Sequence, residues 1–392
     1  MSATSTTIDD VAERSSTGAV RAASAGAEPR PGTEPGLAAS TRDVRLAVDL
    51  DHALTATRRA LAEYFATAAS RATDPRVVDL WKDLADQTGG KLVRPRLVLA
   101  AYLGLGGRDL GAAVPVAAAQ EVLHTAMLVH DDLLDHDESR RGRPNLAGTT
   151  RARLAGTGVE AAHADELVQA ASLLAGDLAI SGAFDLVLTS TAPPPVRLEV
   201  TRQLVRAVQT AVAGEVLDVS GQLRSPLDVA PLLVAELKTA TYTCVVPLLS
   251  GATLAGADRA VRSDLETCGR ALGIAFQLVD DLLGVFGDPR VTGKSTLSDL
   301  REGKRTLLLA CAYRRATPAD VALLDRYVGR ADLTEAEADV VREAMQRSGA
   351  PGAVRETVTR HLDEARAAAS RLPAPLARYL TDLADSFAER VA

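Results

Sequence analysis

Aromatic residues are scarce in this chain, 3% of 392 residues, and basic residues are outnumbered, for a net charge of −7. An acidic chain with few aromatics is a poor match for a nucleic-acid groove, so no nucleic-acid partner is expected. Cysteine is nearly absent: Cys244, Cys268 and Cys311 have no CxxC or other metal-ligand spacing and read as free thiols in a reducing cytoplasm. Also missing are alternating runs of Val, Ile or aromatic residues that would make a confident strand. The first residues lack the basic start and apolar core of a secretion signal. The longest charge-free stretch, residues 239–257, holds Pro247 and two glycines and reads as a buried helix, so no transmembrane segment is expected.

Lysine is the other scarcity. Only five of the 44 basic residues are lysines, namely Lys82, Lys91, Lys238, Lys294 and Lys304. Arginine serves as the general surface cation, and four of the five lysines lie beside glycines, beside acidic pairs or in the segment ELKTA. Lysine is a compact point charge on a flexible stem, suited to meeting a phosphate group.

What is present is helix. Residues are 47% hydrophobic, and a core drawn from Ala, Leu and Val with few aromatics favours helix over sheet. From Asp43 onward apolar residues recur at three and four spacing, as in RLAVDLDHALTATRRALAEYF. Breaks fall at residues 88–95, 142–158, 193–195 and 287–304. The pattern predicts an all-α chain forming one large bundle of roughly ten or more helices. Residues 1–40, rich in Ser, Thr, Ala, Gly and Pro without periodicity, read as a disordered N-terminal tail ahead of a single domain over 41–392.

Two acidic pairs interrupt this apolar periodicity: HDDLLDHD at 130–137 and QLVDDLLG at 277–284. On a helix, His124, Asp131 and Asp135 share one face, with Met127 between them. Like charges one turn apart cost about 0.2–0.5 kcal/mol even when exposed, and burying carboxylates among leucines is costlier unless cations compensate. Facing acidic clusters therefore suggest a metal-bridged polyanion. GGKLVRPR places Lys91, Arg94 and Arg96 ahead of a helix expected near Leu97, where a helix N-terminus would suit phosphate. Arg140 and Arg141 follow the first acidic motif, and Lys294 and Lys304 lie in a Gly-containing segment that reads as a lid. His130 reads as a hydrogen-bonding neighbour rather than a ligand, because magnesium prefers oxygen. His124 is either a core histidine or a phosphate donor. Gln277 is either helix surface or a polar contact inside a cavity.

Taken in order, GGKxxRP, HDDxxD followed by RRGxP, KT, and QxxDD with two trailing GK pairs resemble the trans-isoprenyl diphosphate synthases, or polyprenyl synthetases. The resemblance covers residues 85–310 by motif and 45 to the end by helical pattern. It implies an all-α prenyltransferase domain around a deep central cavity whose mouth carries the two acidic motifs, and a homodimer. It implies magnesium, two or three ions bound with substrate diphosphate, on Asp131, Asp135 and Asp280, with Asp132 and Asp281 supporting. Lys91, Arg94, His124 and Arg141 would hold isopentenyl diphosphate. Arg140, Lys238, Thr239, Gln277, Lys294 and Lys304 would hold an allylic diphosphate, whether dimethylallyl, geranyl or farnesyl. Gly284 stands where the fuller motif has a third aspartate.

Product length in such an enzyme is set by a clash at the cavity floor, since each buried methylene favours growth by about 0.8 kcal/mol. The resemblance puts that floor at Ala126 and Met127, with Leu123 one turn deeper, although helix geometry sets Met127 and Leu123 nearer the Asp131 face than Ala126. Ala126 is too small to stop a chain early, which points to geranylgeranyl diphosphate, with farnesyl or longer products as alternatives. A terpene cyclase would lack the Lys91 and Arg94 clamp. A phosphohydrolase would need more clustered histidines than His52, His136, His163 and His361 offer. A non-catalytic subunit would have lost motif residues that this chain keeps.

Overall fold

The computed structural model describes residues 41–90, 92–140, 142–288 and 296–390. The expected tail over 1–40 and the residues Lys91, Arg141 and Lys294 lie outside the described residues.

The chain is all-α, as its periodicity predicts. In order come α1 (Thr41–Arg71), α2 (Pro75–Gln87), α3 (Val93–Gly104), α4 (Leu110–Leu134), α5 (Leu146–Leu154), α6 (Ala161–Leu188) and α7 (Pro194–Gly221). A short α8 (Pro231–Val234) runs into a π-helix, π1 (Ala235–Val245), and on into α9 (Val246–Leu254). The chain continues through α10 (Arg259–Phe286), α11 (Ser298–Glu302), α12 (Leu307–Arg315), α13 (Pro318–Tyr327), α14 (Glu335–Arg347), α15 (Ala350–Ala369) and α16 (Ala374–Glu389). Among the described residues the only strands are the two-residue β1 (Ser139–Arg140) and β2 (Arg143–Pro144), paired antiparallel directly after α4.

Helix starts follow local chemistry. Asp109 caps α4 by accepting from the Gly111 N–H, Asp258 caps α10 through Val261, and Thr334 and Glu337 form a reciprocal capping box at α14. Two sequence expectations need correction. The helix expected near Leu97 begins at Val93, because Leu92 turns the chain through a left-handed residue at φ 54° and Pro95 is tolerated in the first turn. The expected loop over 142–158 contains α5, started by Asn145, whose side chain accepts from the Gly148 N–H.

The central helices α4 and α10 each pack along much of their length, α4 against α6 and α10 against α15 and π1. Close approach around π1 depends on glycine. A Cβ at Gly214 on α7 would strike the Lys238 backbone, and one at Gly273 on α10 would strike Ala240. The stretch expected as a buried helix is therefore π1 and α9, wedged between glycine notches on two neighbours. By length and composition alone, α4, α6 and the continuous run Pro231–Leu254 could each cross a membrane. Their most apolar stretches are 78%, 44% and 56% buried inside the fold, so α6 is the one that leaves most of its apolar surface uncovered.

Candidate active site

The first acidic motif occupies the C-terminal end of α4. Asp131 is half-buried there, Asp132 is buried, and Asp135 is the residue at which the helix ends. Of the partly exposed residues in this part of α4, His124, Met127, Leu128 and Asp131 lie three or four apart along one face, whereas His130 projects to the side. Ala126 and Leu123 are 0% and 1% exposed. Ala126 lies on the opposite side of the helix from Asp131, so of the three expected floor residues Met127 is the one that stands on the acidic face.

Among the described residues three cations hold these carboxylates. The Lys238 ammonium, on π1, lies 3.1 Å from Asp131, 2.9 Å from Glu215 and 2.7 Å from Asp218. Arg140 donates through Nε to Asp132 at 2.8 Å and through Nη2 to both Asp131, at 3.3 Å, and Asp132. Lys304 donates to Asp135 at 2.9 Å and also pairs with Glu302 at 3.1 Å. Burial alone would raise the Asp131 pKa, but the charges of Lys238, Lys304 and Arg140 outweigh it and hold the carboxyl below its ordinary value. Burial likewise opposes the charge on Lys238 and Lys304, and the surrounding carboxylates overcome it, so both remain firmly protonated.

The second acidic motif lies on α10. The Thr239 hydroxyl donates to Gln277 Oε1 at 2.7 Å, and Gln277 Nε2 donates to Asp281 at 2.8 Å. This resolves the two readings of Gln277 in favour of a polar contact that joins π1 to the acidic pair. Burial, reinforced by Asp299 and Asp280, pushes the Asp281 carboxyl up to about 8. Gly284, one turn further on, has no room for a side chain, because the Asp299 carboxylate occupies that space.

Arg94, on α3, is buried against π1. Its Nη2 donates to the Thr243 hydroxyl at 2.8 Å, and the guanidinium lies 4.9 Å over the Tyr242 ring. The His124 ring is 6.1 Å from that same tyrosine, so Arg94, Tyr242 and His124 form one group deeper along α4. Arg96 serves α3 instead, ion-pairing with Asp51 on α1 at 3.9 Å. His130 turns away from the site, its Nε2 lying 3.2 Å from the Leu173 carbonyl on α6, over a notch left by Gly176.

The structure thus brings together Asp131, Asp132, Asp135, Arg140, Lys238 and Lys304, and joins Thr239, Gln277 and Asp281 in a second chain. Sequence reasoning missed Glu215, Asp218, Asp299, Glu302 and Tyr242. The signal for the first two was available: acids three apart on the otherwise apolar GEVLDV stretch of α7 share a face.

Among the described residues no three His, Cys, Asp or Glu side chains are gathered as a ready metal cage. Magnesium takes one or two carboxylates and completes its octahedron with water and substrate phosphate, and Asp131 and Asp135 stand at this mouth to supply them. Among the described residues the seven carboxylates of Asp131, Asp132, Asp135, Glu215, Asp218, Asp299 and Glu302 exceed the three cations paired with them, which leaves acid to spare for a divalent ion.

Comparison with known proteins places this arrangement. A (2E,6E)-farnesyl diphosphate synthase of Mycobacterium tuberculosis is 40% identical over 224 residues, 56% of this chain and 55% of that protein. The chain thus spans about half the length of such curated relatives. A geranylfarnesyl diphosphate synthase of Aeropyrum pernix is 32% identical over 78% of this chain and 92% of its own length. The crystal structure of a geranylgeranyl pyrophosphate synthase from Corynebacterium glutamicum, complexed with isoprenyl diphosphate and magnesium, superposes with a TM-score of 0.81 at 29% identity, covering 87% of this chain and 99% of that one. The polyprenyl synthetase family model matches residues 81–346. With two thirds of its length matched by that model, the chain belongs to the polyprenyl synthetase family.

Proposed function

We propose that the protein is a magnesium-dependent prenyltransferase that joins isopentenyl diphosphate to an allylic diphosphate, head to tail, and makes geranylgeranyl diphosphate. The observation that carries this reading is the bracing of Asp131 by Lys238 and Arg140, and of Asp135 by Lys304, at one mouth. These three cations and the carboxylates they hold are the groups that a metal-bound diphosphate would take as partners.

When bound with substrate, magnesium would supply Lewis acidity to the diphosphate leaving group, held by Asp131 and Asp135 on one side and Asp280 on the other. Lys238, Arg140 and Lys304 would then exchange carboxylate for phosphate oxygens, steadying the charge that grows as the allylic C1–O bond breaks and its electron pair leaves with diphosphate. Thr239 and Gln277, already hydrogen-bonded to each other, fix the edge of π1 against Asp281. Arg94 on α3 and His124 two turns below Asp131 on α4 would hold the second diphosphate so that the double bond of isopentenyl diphosphate attacks C1. Loss of a proton from the adjoining carbon to the departing diphosphate restores the double bond, so no protein base is needed.

The C. glutamicum structure, with isoprenyl diphosphate and magnesium bound, supports the substrate and the metal. The apolar outer faces of α6 and α7 support a homodimer. Leu174, Leu188, Val212 and Val216 are 54%, 61%, 53% and 61% exposed along those two helices, and a second copy is the partner that would cover them. Free cysteines fit a cytoplasmic site of action.

The test is product length by mass spectrometry after incubation with magnesium, labelled isopentenyl diphosphate and each allylic starter separately. A twenty-carbon product is expected. A fifteen- or twenty-five-carbon product would keep the reaction and revise the floor, whereas no elongation with any starter would overturn the reading for the chain on its own.

A further inference from the structure

Beneath the charged mouth the same three helices meet again in a buried polar layer. Gln120 on α4 donates through Nε2 to the Ser250 hydroxyl on α9 at 3.2 Å, Ser250 donates to Gln203 Oε1 on α7 at 3.2 Å, and Gln203 Nε2 donates to the Thr253 hydroxyl at 2.9 Å. All four are buried, with exposures of 1%, 0%, 8% and 4% in the order Gln120, Ser250, Gln203, Thr253. None of them belongs to the acidic or basic motifs.

The register of each helix puts this layer directly below the mouth. Gln120 precedes Asp131 by eleven residues, three full turns, so it stands under Asp131 on the same face, about 16 Å down the helix. Gln203 precedes Gly214, the α7 position that packs on the Lys238 backbone, by eleven residues on the same face, about 16 Å. Ser250 follows Lys238 by twelve residues along π1 and α9. The helices that supply Asp131, Glu215 and Lys238 at the top therefore also supply the layer, α4 and α7 with one glutamine each and α9 with Ser250 and Thr253. Between the two levels the buried residues of α7 are Leu204, Ala207, Ala211 and Gly214, and α4 presents Met127 and His124 on the Asp131 face.

We propose that this hydrogen-bonded layer of Gln120, Ser250, Gln203 and Thr253 is the floor that ends growth of the prenyl chain. The inference rests on the proposed function and deepens it, moving the stop from a bulky side chain to a polar barrier. Met127, on the acidic face above, is a flexible thioether that can swing aside for an apolar tail. The layer cannot yield in the same way. A hydrocarbon tail passing through would separate Gln120 from Ser250 or Gln203 from Thr253 and leave buried donors without acceptors, which the tail has no atoms to replace. Gln120 Oε1 is already buried with no hydrogen-bond partner among the described residues, so the layer has no slack with which to accommodate another apolar neighbour.

The test compares Gln120→Leu/Gln203→Leu and, as a milder change, Ser250→Ala with the unmodified protein. Product length is read by mass spectrometry, and equilibrium binding is measured for prenyl diphosphates of fifteen, twenty and twenty-five carbons in the presence of magnesium. The expected result is a product distribution moved up by at least one five-carbon unit and a binding cut-off moved by the same step. The first condensation on dimethylallyl diphosphate should stay within about twofold, because the mouth is untouched. Folded variants, judged by thermal unfolding, that keep both the product length and the binding cut-off would overturn the proposal, most directly if Met127→Ala lengthens the product instead. If the unmodified protein elongates nothing, the prenyltransferase reading falls, while a shift in the binding cut-off would still establish the layer as the floor.

Discussion

Gly284 on α10 packs against Asp299 on α11 so closely that any side chain at the glycine would collide with the aspartate's Oδ2. The position at which the second acidic motif departs from its fuller form is thus filled by a carboxylate from the next helix. Asp299 also lies 3.9 Å from Lys304, the lysine that reaches across to Asp135 on α4, so it links the two acidic motifs.

Replacing Gly284 by alanine should displace Asp299 without unfolding the protein, since the colliding atom is the end of a mobile side chain. The stability change should stay below about 1 kcal/mol, while kcat falls about tenfold or more because a charged group beside the second motif is misplaced. Thermal unfolding and steady-state kinetics separate the two effects, and an unchanged kcat would remove Asp299 from the working site.

The pH response of the metal-free protein follows from Asp281. Burial, with Asp299 second, raises its carboxyl to about 8, and burial raises Glu302 to about 7 against the opposing charge of Lys304. A carboxyl whose folded pKa lies above its unfolded one favours the folded state when protonated. Its contribution is complete below about pH 4, the ordinary carboxylate range, and is lost as pH rises through the folded value. The Tm of the metal-free protein should therefore carry a downward slope between about pH 4 and pH 8 that Asp281→Asn flattens. Magnesium with inorganic diphosphate should raise Tm most at the alkaline end, where the carboxylates are already ionised. Parallel slopes in the two proteins would show that Asp281 is not the group responsible.

The apolar outer faces of α6 and α7 lead to a third expectation. Val216→Glu places a charge in the centre of the surface assigned to a second copy, which a dimer would have to bury unpaired at a cost of several kcal/mol. Sedimentation should show the unmodified protein at twice the chain mass and the variant at the mass of one chain. A dimer that persists undiminished in the variant would move the interface elsewhere.

How much of this was readable beforehand depended on contrast within helices. Asp131, Asp135, Asp280 and Asp281 stand out because carboxylates interrupt leucine and valine at helical spacing, and the scarcity of lysine drew attention to Lys238 and Lys304. Glu215 and Asp218 carry the same kind of signal more faintly, on a helix whose outer face is also apolar, and only the position of Lys238 shows what they do. Arg94 looked like a cation ahead of a helix because its burial depends on where α3 begins, which the left-handed Leu92 decides. The π-helical winding of 235–245 has no compositional mark. It follows from the close approach allowed by Gly214 and Gly273, two positions distant in sequence that become neighbours only in the folded chain.

Arg305, beside Lys304, ties the two halves of the mouth together. Its Nε donates to the Arg224 carbonyl at 3.0 Å and its Nη2 to the Gln222 carbonyl at 3.0 Å, both just beyond the end of α7, while Nη1 closes on Gly303 at 2.8 Å. One guanidinium thus holds the Lys304 loop against the helix that carries Glu215 and Asp218. Arg305→Ala should cost about 2 kcal/mol of stability, the scale of losing charged hydrogen bonds to backbone carbonyls. Arg305→Lys should recover little, because an ammonium cannot span the same fork of acceptors. If the tie positions Lys304, KM for the allylic diphosphate should rise severalfold while KM for isopentenyl diphosphate, assigned to Arg94 on α3 and His124 on α4, stays near its starting value. A variant with lowered Tm and both KM values intact would confine Arg305 to holding the fold.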